Sequence, residues 1–139
     1  HERHVRTAIA EACAQFGLSA AFALVTPRSD GPLPGYRAWL VCRPESLAGA
    51  TSEPRLAQAI NLALSANTQY GYALALGQLA PLEVILLNVE PDQAWRWFTD
   101  HCQQRAQRLG DIKPTTLVSD PTFDQAFRTA HNSPLPPHQ

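Results

Sequence analysis

The stretch RLGDIKPTTL, residues 108–117, carries Lys113, the one lysine of a chain whose other ten basic residues are all arginine. Gly110 and Pro114 bracket it, with Asp111 alongside, so the spacing predicts an ammonium presented on a constrained turn and not on a free helix face. A compact ammonium on a flexible stem suits phosphate or carboxylate oxygens, which it meets as a point charge. The plain alternative is a solvated side chain, since an arginine-using composition lowers the lysine count everywhere. No other residue of the chain completes an anion site around Lys113, so a partner surface has to supply the rest.

The other chemistry-bearing residues point to less. His101 and Cys102 are adjacent, and neighbours on a helix diverge by about 100°, so they make no nucleophile–base pair. His1 and His4 have no third ligand near them and read as surface histidines, so no metal site is expected. Glu90 and Asp92 stand at a helix start, where acids already complement the macrodipole. GxxxxGK[ST], GxGxxG and GxSxG are all absent, which removes the common phosphate-cradling loops and the nucleophile elbow. Cys13, Cys42 and Cys102 are too few and too widely spaced for a disulfide framework or a CxxC metal pattern, and each reads as a small buried thiol.

A net charge of −1 gives no electrostatic case for nucleic acid or an anionic membrane. No run approaches the roughly 18 apolar residues of a spanning helix, and HERHVRT contains no apolar signal core. A cytoplasmic location is the expectation.

These residues need elements to hold them. Val5, Ala8, Ile9, Ala12, Cys13 and Phe16 make one stripe of a helix over 3–16, stopped by Gly17. SAAFALVT (19–26) and YRAWLVCR (36–43) read as an antiparallel pair across a proline- and glycine-rich loop. Ser52 is a candidate N-cap for a helix over 53–67 with Leu56, Ile60 and Leu64 as its seam. TQYGYALALGQL reads as a weaker helical piece, interrupted by Gly71 and ended at Gly77. LEVILLNV (82–89) is apolar on both faces and is expected as a central strand. Pro91 opens the longest helix, 91–109, with Trp95, Phe98, Cys102, Ala106 and Leu109 as its stripe and Gly110 as its stop. Trp95 and Trp97 cannot share a face of it. If Trp95 is core, Trp97 either contacts a partner or packs under the 110–118 segment. A short extended piece and a minor helix near 121–131 follow, and 132–139 is a Pro-rich tail. A helical crossover makes strands two and three parallel if they share a sheet. The expectation is an α/β (α+β) sandwich: a single domain over 1–131, with a small mixed β-sheet of three to four strands flanked by helices.

LAQAINLALSANTQYGYA, with Asn67 followed three residues later by Tyr70, resembles a helix of the Gretchen Hagen family. This is the auxin-responsive acyl acid–amido synthetases of plants and their bacterial relatives. LGQLAPLEVILLNVEPDQAWRWF is similar to the turn, strand and aromatic-bearing helix that follow, RLGDIKP to the closing glycine–lysine–proline motif, and ERHVRTAIAEACAQFGLSAAFALV to the start of the family's small domain. Thr115, Thr116 and Leu117 depart from the basic residue that often follows the lysine–proline motif. Ala73, Leu74 and Ala75 stand where the family often carries an arginine.

The resemblance implies the C-terminal lid of a bacterial-type, adenylate-forming ligase. In such enzymes a large N-terminal domain binds ATP, Mg²⁺ and an acyl acid and makes the acyl-adenylate. An amine or amino acid then displaces AMP, and the small domain swings on a hinge and delivers a lysine to the nucleotide. It implies Lys113 as the catalytic cation, Gly110, Asp111 and Pro114 as the loop presenting it, and Asn67, Tyr70 and Trp97 as inter-domain contacts. It also implies that the large domain of the same polypeptide is the partner, and that this chain alone binds no cofactor. Two other classes remain open: a stand-alone ligand-binding or regulatory α/β module, and an interaction domain without catalysis.

Overall fold

The computed structural model describes residues 2–44 and 51–133, so His1 and the tail beyond Ser133 lie outside the described residues. The element order is α1 (Glu2–Gln15), β1 (Leu18–Pro27), β2 (Tyr36–Pro44), α2 (Glu53–Leu64), α3 (Thr68–Ala75), β3 (Glu83–Leu86), α4 (Pro91–Gln104), a 3₁₀ turn (Leu109–Asp111) and α5 (Thr122–His131). The sheet runs β1-β2-β3. β1 and β2 pair antiparallel, with a bulge between Ala20 and Phe22, and β2 and β3 pair parallel, as the crossover requires.

Two apolar layers cover the sheet. On one face Ala8, Ile9, Ala12 and Cys13 of α1 and Leu56, Ile60 and Leu64 of α2 pack on Val25, Ala38, Leu40 and Val84. On the other, Ala94, Phe98 and Cys102 of α4 and Phe123 and Phe127 of α5 pack on Phe22, Leu24, Trp39 and Val41. Each helix contributes the stripe that its 3.6-residue period dictates, and the result is a mixed α+β sandwich.

The expectation that 82–89 is central is overturned: β3 is four residues long and lies at an edge. Its two apolar faces record the two helical layers, not a strand on each side. Side chains of α2 occupy part of the exposed edge. Glu53 accepts from the Leu86 N–H at 2.7 Å. The Asn61 carboxamide accepts from the Leu82 N–H and donates to the Leu82 carbonyl, each at 3.0 Å, much as a neighbouring strand would.

The expected fourth strand is a single rung. Val25 forms one parallel bridge with Leu117, donating to the Thr116 carbonyl and accepting from the Val118 N–H. Upstream, the Thr116 and Leu117 N–H groups are taken by the Glu2 carboxylate, and Pro114 has no N–H to offer. Pairing therefore stops after one rung.

α4 ends at Gln104, not at Gly110. Ala106 adopts φ +68, the Gln107 N–H bonds the Cys102 carbonyl and the Ala106 N–H bonds the Gln103 carbonyl. That is a Schellman end with alanine in the left-handed position usually held by glycine. Ala106 and Leu109 thus leave the predicted stripe, and Leu109 is 63% exposed. α3 runs through Gly71 without interruption. A Cβ there would sit 3.4 Å from Ser65, so glycine lets α3 fold back closely on the end of α2. α3 does stop at Gly77, at φ +70, by the same Schellman pattern.

Candidate functional site

Lys113 follows the 3₁₀ turn and is exposed. Its segment is held at both ends. Upstream, Ile112 packs against the α4/α5 core. Downstream, the Glu2 carboxylate accepts from Thr116 N at 2.6 Å and Leu117 N at 3.2 Å, and the Val25 rung fixes Thr116 and Val118. Between the anchors, Lys113 and Pro114 stand in solvent, with the Thr115 hydroxyl bonded to the Lys113 carbonyl at 3.0 Å. The constrained presentation expected from Gly110 and Pro114 is present, but its cause is different. Gly110 needs no left-handed backbone, and a Cβ there would meet nothing. The constraint comes from Ile112 and Glu2.

Lys113 rims a cleft of about 410 Å³ between α4, the start of α5 and the 111–119 segment, floored by Phe98, Cys102 and Phe123. Arg105 on the same cleft is committed to Asp120 at 3.0 Å. Asp120 also accepts from the Thr122 hydroxyl and N–H at 2.7 and 2.9 Å. These Thr122 bonds, with Arg105 behind them, hold its carboxyl below the usual range. Among the described residues no carboxylate pairs with Lys113, so its charge is available to an incoming anion. His101, buried on α4, shares a 2.8 Å hydrogen bond with the Thr122 hydroxyl and meets the Phe123 ring edge-on. Burial lowers its pKa. Its role is to join α4 to α5, and Cys102 beside it points into the core.

Asp111 lies with Lys113 on the cleft. The three residues expected at a domain interface do not share a surface. Asn67 caps α3 by accepting from the Tyr70 N–H at 3.1 Å. The Tyr70 hydroxyl donates to Asn61 at 2.6 Å, and burial pushes its pKa up to about 12. Tyr70 packs on the α1/α2 side of the sheet and Trp97 on the α4/α5 side. Trp97 is half-buried, with its ring 5.6 Å from Phe127 and edge-on. It packs against Phe127 of α5. Trp95 stacks on Phe98 at 5.2 Å, so both indoles are largely spent on the same core. His4, the described half of the histidine pair, bonds the Leu64 carbonyl at 3.3 Å. No group of metal-ligating side chains gathers among the described residues.

Sequence reasoning missed a buried ion cluster. Asp124 on α5 is fully buried and accepts from the Thr26 hydroxyl (3.1 Å), the Ser29 N–H (2.9 Å), the Ser29 hydroxyl (2.7 Å) and the Arg37 guanidinium (2.5 Å). Arg37 also reaches Asp30 at 3.0 Å and Glu83 at 3.3 Å. Burial opposes its charge, and the bonds to Asp124 and Asp30 outweigh that, so its pKa is raised. The only local signal is a charged residue at a core position of an amphipathic helix.

No protein-family model matches this sequence, and no curated protein does. Among solved structures, the chain is similar in fold to GH3.15 acyl acid amido synthetase, with TM-score 0.64, 10% identity, and coverage of 91% of this chain and 23% of that one. AtGH3.15 acyl acid amido synthetase in complex with 2,4-DB gives TM-score 0.64 and 11% identity, covering 93% of this chain and 22% of that one. At this identity the likeness is one of fold. The chain spans under a quarter of the length of either neighbour.

Proposed function

We propose that the chain is the mobile C-terminal domain of an ATP-dependent adenylate-forming ligase, which activates an acyl acid as acyl-AMP and passes it to an amine or amino acid. Lys113 supplies the cation to the nucleotide. One observation carries this reading: on a fold shared with acyl acid amido synthetases, Lys113 stands in solvent, with no carboxylate partner among the described residues, on a segment pinned on both sides. A stem fixed at Ile112 and Thr116 limits where the ammonium can go without burying it. When a carboxylate attacks the α-phosphate of ATP, charge builds on the non-bridging oxygens and on the departing pyrophosphate. A positioned cation stabilises that charge more than it stabilises the ground state. Carrying it on a lid couples its arrival to exclusion of water. The nucleotide, Mg²⁺ and acyl sites would belong to the large N-terminal domain, which is the proposed partner.

The test is pyrophosphate release by the polypeptide containing this domain, supplied with ATP, Mg²⁺ and a carboxylic acid. Lys113→Ala is expected to slow it roughly 10²–10³-fold, the usual cost of one lost donor to developing charge, with acid binding and melting temperature unchanged. Lys113→Arg is expected to recover part of the rate, because the planar fork needs different room. Release at the parental rate from Lys113→Ala would overturn the assignment. Micromolar ATP binding by the 139-residue chain alone would favour a stand-alone ligand-binding module instead.

A further inference from the structure

Glu2 stands in the first turn of α1, and its carboxylate reaches across to the segment that carries Lys113. One oxygen, Oε2, accepts from the Thr116 N–H at 2.6 Å and from the Leu117 N–H at 3.2 Å. The other, Oε1, lies 3.5 Å from the Arg6 guanidinium one turn along the same helix face. The Thr116 carbonyl takes the Val25 N–H at 2.6 Å, so residue 116 is held at both of its backbone groups. Lys113 is three residues upstream of this grip, a span of at most about 10 Å. Within that span Pro114 fixes its own φ, and the Thr115 hydroxyl bonds back to the Lys113 carbonyl at 3.0 Å. Little slack is left between Glu2 and the backbone that carries the ammonium.

We propose that Glu2 is the positioning residue of Lys113: its carboxylate clamps the lysine's segment to α1, so that the cation moves as one body with the start of that helix. What the cation then acts on rests on the ligase reading; that Glu2 holds it does not. On that reading the large domain precedes this one in the same polypeptide, and the joint between the two leads into α1. A swing about that joint carries Lys113 with it, and the ammonium arrives at the nucleotide without a further search by its own loop. Glu2 touches neither nucleotide nor acid and acts only through Lys113. Because a single oxygen takes both N–H groups, a carboxamide oxygen can replace it. An aspartate in its place falls short of both by about one carbon–carbon bond, ~1.5 Å.

The first measurement needs no substrate. The chain has one lysine, so labelling with ¹⁵N-lysine gives one backbone amide, whose relaxation reports on residue 113 alone. The parent is expected to give the order parameter of rigid backbone, about 0.85, and Glu2→Ala one below about 0.6. Glu2→Gln is expected to stay with the parent and Glu2→Asp to fall with the alanine variant, with thermal melts showing that each is folded. A rigid Lys113 in Glu2→Ala, or a loose one in the parent, would contradict the proposal. The second measurement is pyrophosphate release by the polypeptide containing this domain. Glu2→Ala is expected to lower kcat roughly 10–10²-fold, the cost of a reacting group held about 1 Å out of place, with the KM for ATP unmoved. Glu2→Gln is expected to keep most of the rate. In a Lys113→Ala background, Glu2→Ala is expected to cost nothing further, an outcome that a merely structural role does not produce. Equal losses in the two backgrounds would sink the positioning role. Parental release from Lys113→Ala would sink the ligase assignment instead, and the order parameters alone would then decide whether Glu2 holds Lys113.

Discussion

Asp124 shows what one residue can hold. Its carboxylate has no exposure and takes four donors from Thr26, Ser29 and Arg37, so α5 is fastened to β1, to the β1–β2 loop and to β2 at one point. Removing one member of a buried pair leaves the other charged and unsatisfied, which typically costs about 3–5 kcal/mol. Asp124→Ala is expected to cost that much in chemical denaturation, and Asp124→Asn less, because the amide oxygen still accepts. A loss under 1 kcal/mol for the alanine variant would mean the cluster behaves as a surface ion pair. Beyond a charged residue at a core position of α5, the sequence did not reveal the partners: the four donors lie at positions 26, 29 and 37, some ninety residues away, and no local pattern joins them to position 124. Lys113 is the contrasting case. Its exposure was readable from Pro114 and the turn residues around it. The anchor that fixes it, Glu2, was not, because that contact spans more than a hundred residues.

The two Schellman ends permit a comparison between elements. Gly77 ends α3 and Ala106 ends α4 in the same hydrogen-bond pattern, at φ +70 and +68. A Cβ in the left-handed region costs about 1–2 kcal/mol, which only α4 bears. Ala106→Gly is expected to stabilise the domain by about 1 kcal/mol, less than the full strain because glycine also gains freedom in the unfolded chain. Gly77→Ala is expected to destabilise it by a similar amount, and opposite signs in paired thermal melts are the check. The same contrast explains what the sequence revealed of the elements. α1 and α5 follow their apolar period and were legible to within about a residue, while α2 starts at the capping Ser52 as expected but ends at Leu64, short of the expected 67. α4 ends in a conformation its own residue disfavours, so the stop was assigned to the next glycine, four residues late. β3 was legible as a strand but not as an edge. Apolar faces report which layers cover a strand, and the side chains of Glu53 and Asn61 that finish it come from a helix some twenty to thirty residues earlier.

Below neutral pH, the titrations described across the molecule should work in one direction. Backbone N–H groups of Thr116 and Leu117 hold the Glu2 carboxyl below its ordinary range, the Arg37 hydrogen bond does the same for Asp30, and Thr122 for Asp120. A carboxyl with a depressed folded pKa contributes stability above its unfolded value, and that contribution is lost as pH falls through the folded one. His101 is lowered by burial, so below about pH 6.5 the unfolded chain binds its proton first and stability declines there as well. The melting temperature is expected to drop modestly between about pH 7 and 5.5 and more steeply below about pH 4. Circular dichroism melts across that range are the measurement, and a His101→Gln variant should flatten only the upper step. An unchanged melting temperature down to pH 3.5 would show that these contacts are not coupled to folding.

The two margins of the sheet are unequal. Along β3, Glu53 and Asn61 occupy the outward-facing groups of Leu86 and Leu82. Along β1, pairing with the 116–118 segment touches Val25 alone, and residues 18–23 border an open groove beside α1. Fibre growth by strand addition needs two free margins on every unit, one to receive and one to offer. With Glu53 and Asn61 seated on Leu86 and Leu82, β3 offers an incoming strand fewer free backbone groups than β1 does, so the sheet favours strand addition at the β1 margin over the β3 margin.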